Sequence, residues 1–442
     1  MSSTRCYSSR LSWTVALIVS VCGLFSFETI AENLVIKIEK GVSTALPIAI
    51  VPFENNTGES LIDVAAIIRN NLERSGLFRS LPVNDMPALP AALEDVRAKN
   101  WTSLGIENLV IGKLSKKNAG TIDINFRLID VYSGKQLLGY RIPVQSDDLR
   151  FGSHKVSDFI YEKLLDKPGA YTSLLAYITV DQDSDRGKIY RLQVSDSDGY
   201  NARTILQSTE PILSPAWSPD GKRLAYVSFE GRNSAVYLQD LATGRRERII
   251  HGKGINSSPT FSRDGEKLAV TLSRDGNPEI YLYDLKVKSL MRVTRHGAID
   301  TEPAWAPDGR GLVFTSDRGD GPQIYHFNLA DNSIKRITYN MGRYNTRARY
   351  SPDGRKLVLV NGIKGIYRIV LLDLRTKIYE AVTIGELDES PSFSPNGAMI
   401  IYATVTEDGS QLAAVSADGF TKQKLVAQRG EVREPVWGPL IR

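Results

Sequence analysis

The sequence predicts an α/β N-terminal domain followed by an all-β, six-bladed β-propeller that the C-terminal strand closes. Three observations support this fold class. A motif recurs at intervals of 43–45 residues, each interval contains four strand-like segments, and a mixed α/β pattern precedes the first repeat. We therefore expect a signal peptide at 1–31, the α/β domain at 32–168 and the propeller at 169–442.

The repeat consists of an aromatic residue followed by a Ser-Pro-Asp-Gly-like turn. In such a turn, Pro fixes φ at the second position and Gly or Asn supplies a positive φ at the end. We expect a short first strand at the Pro-x-aromatic step and three further strands after the turn. Four strands in one repeat of this length are typical of a propeller blade. The aromatic residues are Trp217, Phe261, Trp305, Tyr350, Phe393 and Trp437.

The two ends of the repeat region predict how many blades there are and how the ring closes. Segments 174–180, 188–194 and 202–207 supply a second, third and fourth strand without a first strand. The last repeat, 434–439, supplies a first strand alone. Five complete units and this composite unit make six blades, and closure of the ring removes the free sheet edges.

The region before the repeats has mixed α/β character. Segments 34–38, 47–53 and 106–114 have strand patterns, and 122–128 with 137–144 forms a predicted hairpin. We expect Ser60 to cap a helix that Gly76 ends, because an apolar stripe from Leu61 to Leu72 has helical spacing. A second helix is expected near 156–165, and Lys167-Pro168-Gly169 is the expected linker.

The N-terminus has the pattern of an export signal. Basic residues precede an apolar run at 13–25, and small residues suit cleavage after Ala31. Both cysteines, Cys6 and Cys22, would leave with this signal. An alternative makes Cys22 a lipidated cysteine, but the bulky Val21 before it disfavours that reading. We expect a periplasmic protein with no inserted membrane segment.

Composition and motifs exclude many function classes. The 55 Lys and Arg residues are interspersed with 50 Asp and Glu residues, which does not indicate a nucleic-acid binder. No P-loop, nucleophile elbow, zinc motif or Cys-x-x-Cys is present. The segment 181–187 resembles a calcium loop but lacks the Gly and the bidentate Glu, so we expect a turn. We therefore predict no catalytic residue, cofactor or metal, and a binding function.

Propellers commonly bind partners at the mouth, where loops lead from each fourth strand into the next first strand. Those loops are polar here, and we expect them to form a polar rim that contacts a protein partner. The candidate residues are Asn256, Ser257, Asp300, Thr301, Glu302, Arg347, Asp388, Glu389 and Glu434.

Several segments together resemble the TolB family, periplasmic components of the Tol-Pal system of Gram-negative envelopes. They are the signal, the mature start at 32–43, Pro47–Phe53, Leu72–Phe78, Val194–Asn201 and the repeats. The resemblance implies a monomeric, non-enzymatic adaptor that binds the lipoprotein Pal through the propeller mouth, supports outer-membrane integrity and cell division, and is exploited by colicins. It also implies that the N-terminal segment binds TolA. The residues for this second contact are Glu32, Asn33, Leu34, Val35, Ile36 and Lys37.

Two further expectations concern this resemblance. The alternating pattern of 34–39 predicts a strand that can add to the edge of its own α/β domain or of a partner's sheet. The segment Arg347–Tyr350 lacks the Pro of the other repeats, which puts the contribution of its blade to the mouth in doubt. A propeller-containing hydrolase and a glycan-binding propeller are the alternative functions.

Overall fold

The computed structural model describes residues 45–407, 409–425 and 430–440, together with the backbone of 36–38. The expected signal peptide at 1–31 and Glu32–Val35 of the expected TolA segment lie outside the described residues. Within the described part of the chain, no helix is long and apolar enough to cross a membrane.

A six-stranded mixed sheet forms the core of the N-terminal region. Strand β2 pairs in parallel with β4 and β5, β3 pairs in parallel with β5, and β5, β6 and β7 are antiparallel. The strands are β2 (Leu46–Ile50), β3 (Glu54–Asn56), β4 (Phe78–Ser80), β5 (Asn108–Asn118), β6 (Thr121–Asp130) and β7 (Lys135–Gln145). The helices are α1 (Val64–Arg74), α2 (Ala98–Thr102) and α3 (Leu149–Leu165), with 3₁₀ turns at Val83–Asp85, Leu93–Asp95 and Ser146–Asp148.

Both long helices differ from the prediction at their starts. The N-cap of α1 is Asp63 and not Ser60, because the Asp63 carboxylate accepts a hydrogen bond from the backbone N–H of Ala66 at 2.9 Å. Helix α3 begins at Leu149, about two turns before the predicted start. Gly152 explains the difference, since a Cβ there would lie 2.5 Å from Ile124 Cδ1. A helix that packs this closely on a sheet uses small residues, which carry no apolar periodicity.

The propeller consists of six antiparallel blades whose first strands line a central channel. From the channel outward, blade one contains β31 (Glu431–Trp437), β8 (Leu174–Asp183), β9 (Gly187–Asp196) and β10 (Arg203–Ser208). Blade two contains β11 (Ile212–Trp217), β12 (Arg223–Gly231), β13 (Asn233–Asp240) and β14 (Arg246–Ile250), and blade three contains β15 (Asn256–Phe261), β16 (Lys267–Leu272), β17 (Glu279–Asp284) and β18 (Leu290–Arg292). Blade four contains β19 (Asp300–Trp305), β20 (Gly311–Gly319), β21 (Gly321–Asn328) and β22 (Ile334–Arg336). Blade five contains β23 (Tyr344–Tyr350), β24 (Lys356–Ile363), β25 (Ile366–Asp373) and β26 (Tyr379–Ala381), and blade six contains β27 (Asp388–Phe393), β28 (Met399–Thr406), β29 (Gly409–Ser416) and β30 (Thr421–Lys424).

The predicted closure by the C-terminal strand is confirmed. Strand β31 pairs antiparallel with β8, so blade one combines both ends of the propeller sequence. The indole N–H of Trp437 donates to Ser173 Oγ at 2.8 Å, and the N–H of Gly438 donates to the Leu174 carbonyl at 2.7 Å. The ring therefore depends on contacts between residues more than 250 positions apart in the sequence.

The N-terminal region contacts one end of blades one and six. At this end lie the turns that follow the first and the third strand of each blade. Arg74 donates to Ser197 Oγ at 2.6 Å, and Asn396 donates to the Pro168 carbonyl at 3.0 Å. A Cβ on Gly76 would lie 1.9 Å from Thr421 Oγ1, so the end of α1 approaches blade six closely. The loops that enter the first strands lie at the opposite end of the blades, where the mouth was predicted.

From the sequence we expected the N-terminal strand to pair with the edge of its own α/β domain or with a partner's sheet. In the structure, β1 (Ile36–Ile38) does not pair with the α/β sheet. It pairs antiparallel with β30, with Ile36 opposite Gln423 and Ile38 opposite Thr421. It thereby becomes a fifth strand at the outer edge of blade six. An outer propeller strand offers the same unpaired backbone groups as the edge of any other sheet.

Candidate functional site: the propeller mouth and channel

The first strand of each blade starts earlier than the predicted Pro-x-aromatic step. In blade three, Asn256 and Ser257 already pair with Leu272 and Thr271 of the second strand. In blade six, Asp388 and Glu389 pair in the same way with Thr404 and Ala403. Several residues that we expected in mouth loops are therefore strand residues, and successive side chains point to opposite faces of the blade.

Three of the predicted rim residues are buried, which corrects the expectation that they are available on the surface. Asn256, Asp300 and Asp388 are 4%, 0% and 1% exposed. Asn256 donates to the Ser234 carbonyl at 2.8 Å, whereas Asp300 accepts from Arg318 at 2.5 Å. Sequence alone could not separate these residues from surface loops, because a buried polar residue with a partner looks like a solvated one.

Charge reversal at Asp388 is expected to destabilise the fold. The Asp388 carboxylate accepts from Thr404 Oγ1 at 2.6 Å inside the protein, so Asp388→Lys would bury an unpaired ammonium. We expect a loss of about 3 kcal/mol or more in the free energy of unfolding, measured by chemical denaturation. The matched control is Glu386→Lys, which changes an exposed residue two positions earlier and should cost less than about 0.5 kcal/mol. Equal stability of the two variants would contradict the buried role.

Asn345 of blade five is buried in the same way, at 0% exposure. In each of blades three to six, the residue immediately before this buried polar residue is apolar and exposed. Ile255, Ile299, Tyr344 and Leu387 are 47%, 47%, 36% and 43% exposed. They occupy one ladder position, since the residue after each pairs with the second strand of its blade. We call these four residues the apolar ring. Each of these residues lies six positions before the aromatic residue of its repeat, so alignment of the repeats on the aromatic positions reveals the apolar ring. The polar pattern of the mouth loops alone does not indicate it.

A second set of equivalent residues points into the channel from a distorted position of each first strand. The register of every first strand shifts at this point, and φ lies between 50° and 56°. Such a φ is uncommon for a residue other than glycine and costs roughly 1 kcal/mol or more. The residues are Ser214, Ser258, Glu302, Arg347, Ser390 and Glu434.

Blade five keeps this geometry although it lacks the Pro. Arg347 has φ 55°, and Ala348 follows it where the other blades have Pro. The expected doubt about this blade is therefore unfounded for its backbone. The side chain differs from the serines of three other blades, because it carries a charge into the channel.

Arg347 connects blade five to three other blades, namely blades one, four and six. Its guanidinium lies 3.0 Å from the Glu302 carboxylate and 3.4 Å from the Glu434 carboxylate, and it also donates to Ser390 Oγ. Burial lowers the pKa of Arg347, but the nearby carboxylates of Glu302, Glu434 and Glu389 raise it more, so the net direction is upward. The predicted residues Glu302, Arg347 and Glu434 therefore form one charged network in the channel.

The remaining predicted mouth residues, Ser257 and Thr301, and the calcium-like segment 181–187 have ordinary structural roles. Ser257 and Thr301 are half-buried in their first strands. The calcium-like segment forms a turn in which Asp183 Oδ1 accepts the N–H groups of Asp185 and Arg186 at 3.0 and 2.9 Å, while Asp181 pairs with Arg191. The expected turn is thus what the structure contains.

One cluster in the described residues has a metal-ligating composition, namely His154, Asp196 and Asp198. The Arg150 guanidinium lies 3.4 Å from the Asp196 carboxylate and 2.5 Å from the Asp198 carboxylate. Burial raises the pKa of Asp196, but His154 and Arg150 lower it more. Because the Arg150 guanidinium already pairs with both carboxylates, we interpret the cluster as a contact that holds α3 against blade one.

Comparison with known proteins gives a consistent result for both parts of the chain. A family model described as the TolB amino-terminal domain matches residues 34–137, and one described as the TolB beta propeller domain matches 161–441. The Tol-Pal system protein TolB of Nitrosococcus oceani is 54% identical over 425 residues, which are 96% of this chain and 98% of that protein. The protein of the same name from Thioalkalivibrio sulfidiphilus is 55% identical over 409 residues, 92% of this chain and 94% of that protein. The crystal structure of TolB from Acinetobacter baumannii is similar with a TM-score of 0.84 and 41% identity, over 92% of this chain and 100% of that one.

Proposed function

This chain belongs to the TolB family, and we propose that it is a non-enzymatic periplasmic adaptor of the Tol-Pal system. In this proposal the propeller mouth binds the lipoprotein Pal, and the N-terminal segment binds TolA. The adaptor would thereby connect partners at the two membranes and support outer-membrane integrity during cell division.

The observation that carries the Pal proposal is the apolar ring. Ile255, Ile299, Tyr344 and Leu387 expose apolar surface from four neighbouring blades at the end of the propeller away from the N-terminal region. Apolar and aromatic side chains inside a polar rim are characteristic of protein–protein interfaces. The predicted contact residues Glu302, Arg347 and Glu434 lie deeper, in the channel, where a protruding part of the partner would reach them.

The test compares two exposed apolar residues at opposite ends of the propeller. Ile299→Asp changes the apolar ring, whereas Val287→Asp changes a residue that is 68% exposed in the turn between β17 and β18. We expect Ile299→Asp to weaken binding to purified Pal at least tenfold, because a charged residue in the interface must be desolvated. Val287→Asp should bind Pal like the wild type, and both variants should unfold within about 0.5 kcal/mol of it.

Normal Pal binding by both variants would place the interface elsewhere on the molecule. If the wild type binds peptidoglycan stripped of Pal and does not bind Pal, the chain is a glycan-binding propeller. These outcomes separate the proposed function from its alternative in one series of calorimetric titrations.

The TolA proposal is supported by the position of β1. This strand pairs through its backbone with the exposed edge of blade six, at the end of the chain segment that would contact TolA. A strand held by edge pairing can leave that edge and pair with another sheet through the same backbone groups.

A further inference from the structure

We propose that the propeller channel contains an anion-binding site formed by Arg349, which takes the oxyanion of a carboxylate or a phosphate. Arg349 follows Arg347 by two residues on β23 and lines the same channel. The anion would be either a free inorganic ion or an acidic side chain that the mouth partner inserts. The second source rests on the proposed function, whereas the first does not.

The contacts of Arg349 differ from those of its neighbour. Arg347 is satisfied by Glu302 and Glu434, which lie within 3.4 Å of it. Among the described residues, the one hydrogen bond of the Arg349 guanidinium is from Nη1 to the backbone carbonyl of Ala348, at 2.9 Å. In the described part of the chain, no carboxylate oxygen lies within 4.0 Å of the Arg349 guanidinium. The two arginines of β23 therefore differ: carboxylates pair with the guanidinium of Arg347 but not with that of Arg349.

An unpaired guanidinium in a partly closed channel is energetically unfavourable. Burial lowers the pKa of Arg349, because desolvation disfavours its charged form, and Arg347 lowers it further. Glu302 and Glu434 act in the opposite direction without contacting it. An oxyanion at Arg349 would supply the missing counter-charge and can accept two parallel N–H donors from the planar guanidinium.

Comparison of the six blades shows that Arg349 occupies a position where the other five blades have a small side chain. Each first strand resumes pairing at this residue after its register shift, and Arg349 is opposite Val358. The equivalent residues are Ala216, Thr260, Ala304, Ser392 and Val436. Five small side chains leave space around one long basic side chain, in a cavity of about 410 Å³. That space accommodates a phosphate ion or the end of an acidic side chain.

The first experimental arm tests a free anion. Sodium phosphate is titrated into the full chain by calorimetry, at constant ionic strength maintained with sodium chloride. The test variant is Arg349→Ala, which places in blade five the residue that blades two and four already have, so we expect it to fold. The matched control is Arg343→Ala, which removes a mouth-face arginine whose side chain is 81% exposed. We expect Arg349→Ala to weaken phosphate binding at least tenfold and Arg343→Ala to leave it unchanged.

The second arm measures Pal affinity of the same three proteins without phosphate. If phosphate does not bind but Arg349→Ala weakens Pal binding at least tenfold relative to Arg343→Ala, the anion is an acidic side chain of the partner. Phosphate binding that persists in Arg349→Ala would overturn the proposal, and so would the absence of any effect in both arms. If wild-type protein does not bind Pal, the proposed function is wrong, while the phosphate arm still decides the anion site.

Discussion

Truncation of the chain after Arg429 is expected to lower the melting temperature by about 10 °C or more, or to prevent folding of the propeller altogether. This change removes β31, the first strand of blade one, and leaves β8 with an unpaired edge. The prediction has the largest expected effect on stability, because one short segment closes the entire ring.

The size of the effect follows from the contacts of β31. Val432 is 1% exposed, and Trp437 packs beside Leu175, Tyr177 and Met399. Loss of a fully buried aromatic side chain costs about 3–5 kcal/mol, so loss of the half-buried Trp437 should cost roughly 2 kcal/mol or more, and loss of the buried Val432 adds roughly 1.5 kcal/mol or more. Glu434 also connects the strand to its neighbours, since its carboxylate accepts the backbone N–H of Ser214 and pairs with Arg347.

A matched control truncates the chain after Gly438 instead. That protein keeps the strand, the Trp437 side chain and the hydrogen bond from Gly438 to the Leu174 carbonyl. It should melt within about 2 °C of the full chain, because few contacts are lost. Calorimetric melting curves of the two truncated proteins decide the matter. Similar melting temperatures would mean that the ring does not depend on β31 for closure.

The sequence was sufficient to predict the propeller because its signal is periodic and local. The turn residues recur at one spacing, and the missing first strand at one end matches the isolated strand at the other. The pairing that closes the ring could therefore be deduced, because the first blade lacks a first strand and the last repeat supplies only a first strand. No single element was decisive, but all elements agreed on six blades.

The site was harder to predict because its residues are distinguished by burial and not by chemical type. Asp300 and Asp388 look like surface residues in the sequence, yet both are buried, whereas Ile299 and Leu387 look like core residues and are exposed. At the start of these first strands, the usual relation between polarity and exposure is therefore reversed. The pairing of β1 with blade six could also not be predicted from the sequence, because the alternating pattern of this strand fits the edge of any sheet.

Deletion of Glu32–Ser43 is expected to abolish binding to the periplasmic domain of TolA while sparing the fold and the Pal site, so that the deletion protein still binds Pal. The reason is that the strand uses the same backbone N–H and C=O groups to pair with blade six and, in our proposal, to pair with TolA. The structure pairs Lys37 with Lys422 in the home position. The strand cannot occupy both edges at once, so any ligand that favours docking on blade six must weaken TolA binding by the same free energy.

A point variant distinguishes backbone pairing from loss of side-chain contacts. Lys37→Pro removes a backbone N–H and disrupts a strand ladder, whereas Lys37→Ala removes the side chain and keeps the backbone. We expect the proline variant to lose TolA binding at least tenfold more than the alanine variant in calorimetric titrations. Equal losses would mean that the Lys37 side chain carries the contact, and retained affinity in the deletion protein would mean that TolA binds another surface. With wild-type protein, saturating Pal then reports the coupling: weaker TolA binding shows that Pal favours the docked strand, and tighter binding shows that it favours release, because each ligand changes the affinity of the other by one common factor.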